Sequence, residues 1–149
     1  MLLQDKICGV DSEWKISGLS ANKSQKDKGP AILQISSPAH AFVIDLHALN
    51  KEPALDSILQ EVFCKNLVIG FGFSSDLSEL KKHLPKFSFY KKLDNLIDIQ
   101  TLYTETQKIQ HESTKFQVSL GQMCEQYLGK KLCKGERMSN WERRPLRLS

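Results

Sequence analysis

Residues 67–73, LVIGFGF, contain no polar side chain. A strand of that composition is buried on both faces, which requires a covering layer on each side and so points to an α/β sheet flanked by helices. Its glycines, Gly70 and Gly72, admit the close approach of another backbone or of a ligand. The next stretch, SSDLSELKKHL, sets Leu77, Leu80 and Leu84 on one helical stripe that Pro85 ends.

The remaining segments fit the same architecture. Ile7 to Trp14 read as an interior strand, and a polar, lysine-bearing loop follows from Ser17 to Pro30. AILQIS and AFVIDL are strand-like runs joined by SPAH, a link that favours an antiparallel hairpin. Leu55, Ile58, Leu59 and Val62 share one helical face after Pro53, and LIDI at 96–99 reads as a short strand. A polar stretch then runs to Gln117. Ser119 and Gln122 form a capping box for a helix bearing Leu120, Met123, Tyr127 and Leu128, with Gly129 placed to end it. The order β, ββ hairpin, α, β, α, β, α implies a mixed sheet. No repeat and no second domain are visible, so 149 residues read as one domain.

Two acids stand within the first strand, in GVDSEW. Alternation puts Asp11 and Glu13 on one face, roughly 6 to 7 Å apart along the backbone. Like charges so placed are costly unless something positive sits between them. A third acid, Asp76, opens the helix after the apolar strand, a position from which side chains reach the carboxyl-end edge of an open sheet. If the first strand and the strand at 67–73 are neighbours, Asp76 faces Asp11 and Glu13 across a crevice. Oxygen donors without histidine or thiolate favour magnesium or manganese, and such a site suits phosphoryl chemistry. Competing readings are that Asp76 pairs with Glu79 as a helix cap, and that Asp11 ends its strand in a turn while Glu13 is merely exposed.

Charge adds a second signal. Between Lys130 and Ser149 seven bases face two acids, a surplus of +5 in a chain of net charge +4. Such a basic tail either meets a polyanion or stays solvated. The four cysteines, Cys8, Cys64, Cys124 and Cys133, show neither zinc-ligand spacing nor a disulfide framework and read as reduced. No apolar run is long enough to span a bilayer and no secretory pattern opens the chain, so a nuclear or cytoplasmic location is expected.

In these motifs the chain resembles the DEDD 3′-to-5′ exonuclease superfamily, in the branch of ribonuclease D and the Werner-syndrome exonuclease domain. GVDSEW resembles its first motif, LVIGFGFSSDLSEL its second, and LGKKLCKGERMSNWERRPL the approach to its third. The resemblance implies a ribonuclease H-like mixed five-stranded sheet with one antiparallel strand, flanked by helices. It implies hydrolysis at the 3′ ends of single-stranded RNA or DNA with two magnesium or manganese ions. Asp11, Glu13 and Asp76 carry over as catalytic metal ligands, Trp14 and Trp141 do not carry over as catalytic and read as packing residues, and Lys134, Arg143 and Arg144 are candidate phosphate contacts. In this branch the R-P-L turn precedes a helix with a tyrosine and, four positions on, a fourth aspartate, whereas here the sequence reads RPLRLS. Tyr127 with Lys131 is no substitute, because lysine donates and does not ligate. The resemblance thus implies an exonuclease domain over 1–149, incomplete at its C-terminus, with a basic tail over 130–149. Its activity is expected to be impaired, and the alternative is a non-catalytic fragment that binds nucleic acid or a partner. Without the catalytic helix, apolar sheet surface is expected to be exposed.

Overall fold

The computed structural model describes residues 5–14, 29–91, 93–111, 118–135 and 139–146. Five strands form one sheet: β1 (Ile7–Glu13), β2 (Ile32–Ser36), β3 (Ala41–Asp45), β4 (Leu67–Gly70) and β5 (Leu96–Asp98). Their spatial order is β3-β2-β1-β4-β5. β2 runs antiparallel to both β1 and β3, while β1–β4 and β4–β5 are parallel. The expected mixed sheet with one reversed strand is therefore present, and the reversed strand belongs to the early hairpin.

Among the described residues five α-helices flank it: α1 (Leu46–Leu49), α2 (Pro53–Lys65), α3 (Ser74–His83), α4 (Ile99–His111) and α5 (Leu120–Leu128). α2 starts with proline at its first turn, where a missing N–H costs nothing, and buries Leu55, Leu59, Val62 and Phe63. Ile58, expected on that face, is instead 57% exposed. Its position lies off the narrow stripe that actually meets the core. α3 buries Leu80, and the chain beyond it supplies Phe87, Phe89 and Tyr90. These residues join Cys8, Val10, Leu33, Ile35 and Val68 from the sheet in one hydrophobic core. Asp56 of α2 fastens the Phe89–Lys91 turn by accepting from the Ser88 and Phe89 amides at 2.8 and 3.0 Å.

The other sheet face is more open. Register places Ile7, Gly9 and Asp11 of β1 beside Gln34 of β2, Val43 of β3, and Leu67 and Ile69 of β4 on this side. Ile7, Val43 and Leu67 are each more than a third exposed.

Two expectations need correction. The polar stretch after residue 99 contains a helix, α4, over Ile99–His111. The apolar run 67–73 is not one strand: β4 stops at Gly70, and Gly72 takes a left-handed φ of 64° in the turn that launches α3. A Cβ at Gly70 would lie 2.5 Å from Phe73 Cβ, so the turn folds tightly onto itself. The capping box of α5 is present, with Ser119 and Gln122 bonding reciprocally and Gly129 closing the helix in the left-handed region.

Candidate active site

The site is a consequence of unequal strand lengths. β1 pairs with β2 as far as Glu13↔Ile32, but its ladder to β4 ends at Gly9↔Ile69. Beyond that point β4 turns away and the first turn of α3 comes against the last residues of β1. Alternation along β1 turns Cys8, Val10 and Ser12 to the core and leaves Asp11 and Glu13 on the open face. Ser12 is 4% exposed, and a hydroxyl so buried requires a partner. It finds one in α3: Ser12 Oγ donates to Asp76 Oδ1 at 2.6 Å.

Asp76 is therefore not a helix cap. The N-cap position of α3 is Phe73, no side chain caps the helix, and Asp76 is 9% exposed. Burial pushes its carboxyl above the usual range, the Ser12 hydroxyl pulls it down, and the negative charge of Asp11 pushes it up again. The carboxyl of Asp11 is likewise raised by desolvation, opposed by the Ser12 amide, which donates to Asp11 Oδ1 at 2.9 Å. The charge of Asp11 thus acts on Asp76 across the edge of β1. Their all-oxygen donor set suits a hard divalent ion.

Glu13, half-buried, opens with Asp11 onto a cleft of about 1100 Å³ between the open sheet face and α5. Gln34 and Ser36 of β2, Ser119 and Gln122 at the start of α5, Lys134, and both Trp14 and Trp141 also line it. Among the described residues no three histidine, cysteine or acidic side chains stand together so as to hold one metal ion. Asp11 and Asp76 are brought into electrostatic reach; Glu13 shares the cleft without closing a three-acid cluster.

The basic residues separate into two kinds. Lys134 is exposed at the cleft, and its Nζ lies 3.1 Å from where a Cβ on Gly121 would stand, over the first turn of α5. Arg143 is exposed. Arg144 is committed elsewhere: Nη2 donates to Asp45 Oδ1 at 2.6 Å, Nε bonds the other Asp45 oxygen, and Nη1 donates to the Trp141 carbonyl at 2.7 Å. Its guanidinium ties residues 141–144 to the end of β3.

Two functional candidates escaped the sequence reading. Ser12 was legible as the inward position between two outward acids. Asp98, at the end of β5, accepts from the amides of Gly72 and Phe73, each at 2.9 Å, and of Gln100 at 3.0 Å. An aspartate immediately before a helix is an N-cap signal, and that signal was available.

The family model for 3′-5′ exonucleases matches residues 1–149. The chain is 29% identical to the exonuclease mut-7 homolog of Aedes aegypti over 98% of its own length and 21% of that protein's. It is 30% identical to exonuclease mut-7 of Caenorhabditis elegans, over 93% of this chain and 16% of the relative. The chain therefore spans about a fifth of the length of these curated relatives. Among solved structures, the EXO domain of Aedes aegypti Nibbler superposes with a TM-score of 0.74 at 25% identity, covering 98% of this chain and 69% of that one. RNase D of Escherichia coli shares the fold, with a TM-score of 0.65 at 18% identity over 98% of this chain and 34% of that one.

Proposed function

This chain belongs to the 3′-5′ exonuclease family, and on that premise we propose that Asp11, Glu13 and Asp76 form its metal-binding catalytic centre, acting on the 3′ ends of single-stranded RNA or DNA. The observation that carries the reading is the Ser12–Asp76 bond, which holds the acid of α3 against the strand that bears the other two. The fitting group is a pair of magnesium or manganese ions, which when bound supply an activated water and charge stabilisation at the leaving oxygen. In the protein's share of the work, Asp11 and Asp76 would hold the cation, Glu13 would add its carboxylate from the cleft wall, and Ser12 keeps one Asp76 oxygen turned inward. Lys134 and Arg143 lie at the surface for contact with phosphate, a term that supplies affinity without sequence information.

A second reading, a fragment that binds nucleic acid without cleaving it, is favoured by the absence of a three-acid cluster among the described residues.

Incubation of 5′-labelled single-stranded RNA and its DNA counterpart with manganese separates the two. A descending ladder, abolished by Asp11→Asn, is the expected result. Retention of the strand with no ladder from folded protein would establish binding alone.

A further inference from the structure

We infer that Asp98 is a positioning residue for Asp76, acting through the turn between β4 and α3; this rests on the reading of Asp76 as a metal ligand. Asp98 Oδ1 accepts from Gly72 N at 2.9 Å and Asp98 Oδ2 from Phe73 N at 2.9 Å. These two amides belong to the three residues that separate the end of β4 from α3, and Asp76 stands three residues after Phe73. Helix α3 has no side-chain cap of its own. The amide of Phe73, the N-cap residue, is instead held by the carboxylate of another strand, which fixes where the helix begins.

The turn has reason to need fixing. Gly72 sits in the left-handed region at φ 64°, where a glycine has wide conformational freedom. Phe73, 1% exposed, anchors the turn from the core side, and Asp98 anchors it from the sheet edge. Between these supports the Leu77 amide closes the first helical turn onto the Phe73 carbonyl at 2.9 Å, with Asp76 inside that turn. The Asp76 oxygen must then arrive within 2.6 Å of Ser12, a distance that tolerates little drift.

The same carboxylate has a second task. Asp98 Oδ1 also accepts from Gln100 N at 3.0 Å and Thr101 N at 3.4 Å, the pattern of an N-cap on α4. Gln100 Nε2 in turn donates to the Val118 carbonyl at 3.1 Å, immediately before the α5 capping box. One side chain therefore ties the turn bearing Asp76 to a helix that reaches the far wall of the cleft.

Asp98→Ser separates the two tasks, because serine caps a helix but is too short to span to Gly72 and Phe73; Asp98→Asn is the isosteric companion. Asp56→Asn is the control, since Asp56 also holds backbone amides, at Ser88 and Phe89, and none of them belongs to the turn before α3. Two readouts on the full chain are used. In metal-free protein, exchange of the Leu77 amide should accelerate about tenfold or more in Asp98→Ser while the Leu84 amide, bonded to Leu80 at the other end of α3, stays as in the wild type. Manganese affinity should fall about tenfold or more in the same variant, as for residues that orient ligands, with Asp56→Asn at the wild-type value. Unchanged exchange at Leu77, or a fall in affinity equalled by Asp56→Asn, would overturn the role of Asp98. A wild-type chain that binds no manganese would instead overturn the metal reading, and the exchange data would still decide whether Asp98 positions the turn.

Discussion

Ser12 and Asp76, 64 positions apart in sequence, share a buried hydrogen bond of 2.6 Å. It is the joint between the strand that carries two acids and the helix that carries the third. Removing the hydroxyl strands a buried carboxylate, which costs about 1–3 kcal/mol. Ser12→Ala should lower the unfolding free energy by that amount in urea titrations at neutral pH, and Ser12→Thr should recover part of the loss.

Burial raises the carboxyls of Asp11 and Asp76 above their ordinary values, and the charge of Asp11 adds to the rise at Asp76. A carboxyl raised in the folded state holds its proton more tightly there than in the unfolded chain. It therefore favours folding at low pH and opposes it as pH climbs from the ordinary carboxylate range through the raised value. Asp11→Asn should accordingly be more stable than the wild type at pH 7, and the difference should vanish well below the ordinary carboxylate range. Thermal unfolding across pH measures this; a variant less stable at pH 7 would contradict it.

Asp45 behaves in the opposite sense. The hydrogen-bonded Arg144 guanidinium holds its carboxyl below the usual range, aided by the Ala48 amide. Stability from this group is full above the ordinary carboxylate value and lost as pH falls through the lowered one. The pair is partly exposed, so solvent screens it and its direct worth is about 1 kcal/mol or less. The larger effect is on order: Arg144→Ala should release the segment around Trp141 from β3, read as faster tryptic cleavage after Arg143.

Gly72 supplies another test. Any side chain there meets the left-handed strain of about 1–2 kcal/mol, and a Cβ would lie 2.9 Å from Gln100 Oε1. Gly72→Ala should destabilise the fold by at least that strain in chemical denaturation.

Much of this architecture was legible because the chain's periods differ sharply. Strict apolarity at 67–70 marked the central strand, alternation at 7–13 marked its neighbour, and three leucines marked α3. The α4 helix was hidden because Ile99, Leu102 and Tyr103 are followed by threonines, glutamines and charges, and because its cap, Asp98, also ends a strand. The site divided in the same way. Outward acids on a strand could be read from alternation, but the partner of the inward serine depended on where β4 stops, which Gly72 sets through its left-handed backbone and Gly70 through the room it leaves Phe73. Composition could not separate Arg144 from its basic neighbours, since its carboxylate partner lies 99 positions away.

The account turns on Asp11, Glu13 and Asp76 acting together on a cation. Titration of the whole chain with manganese, following the free ion by electron paramagnetic resonance, tests that directly. Saturable binding that weakens about tenfold or more in each of Asp11→Asn, Glu13→Gln and Asp76→Asn is the predicted result. Binding unchanged in all three variants, or none in the folded wild-type chain, would contradict it.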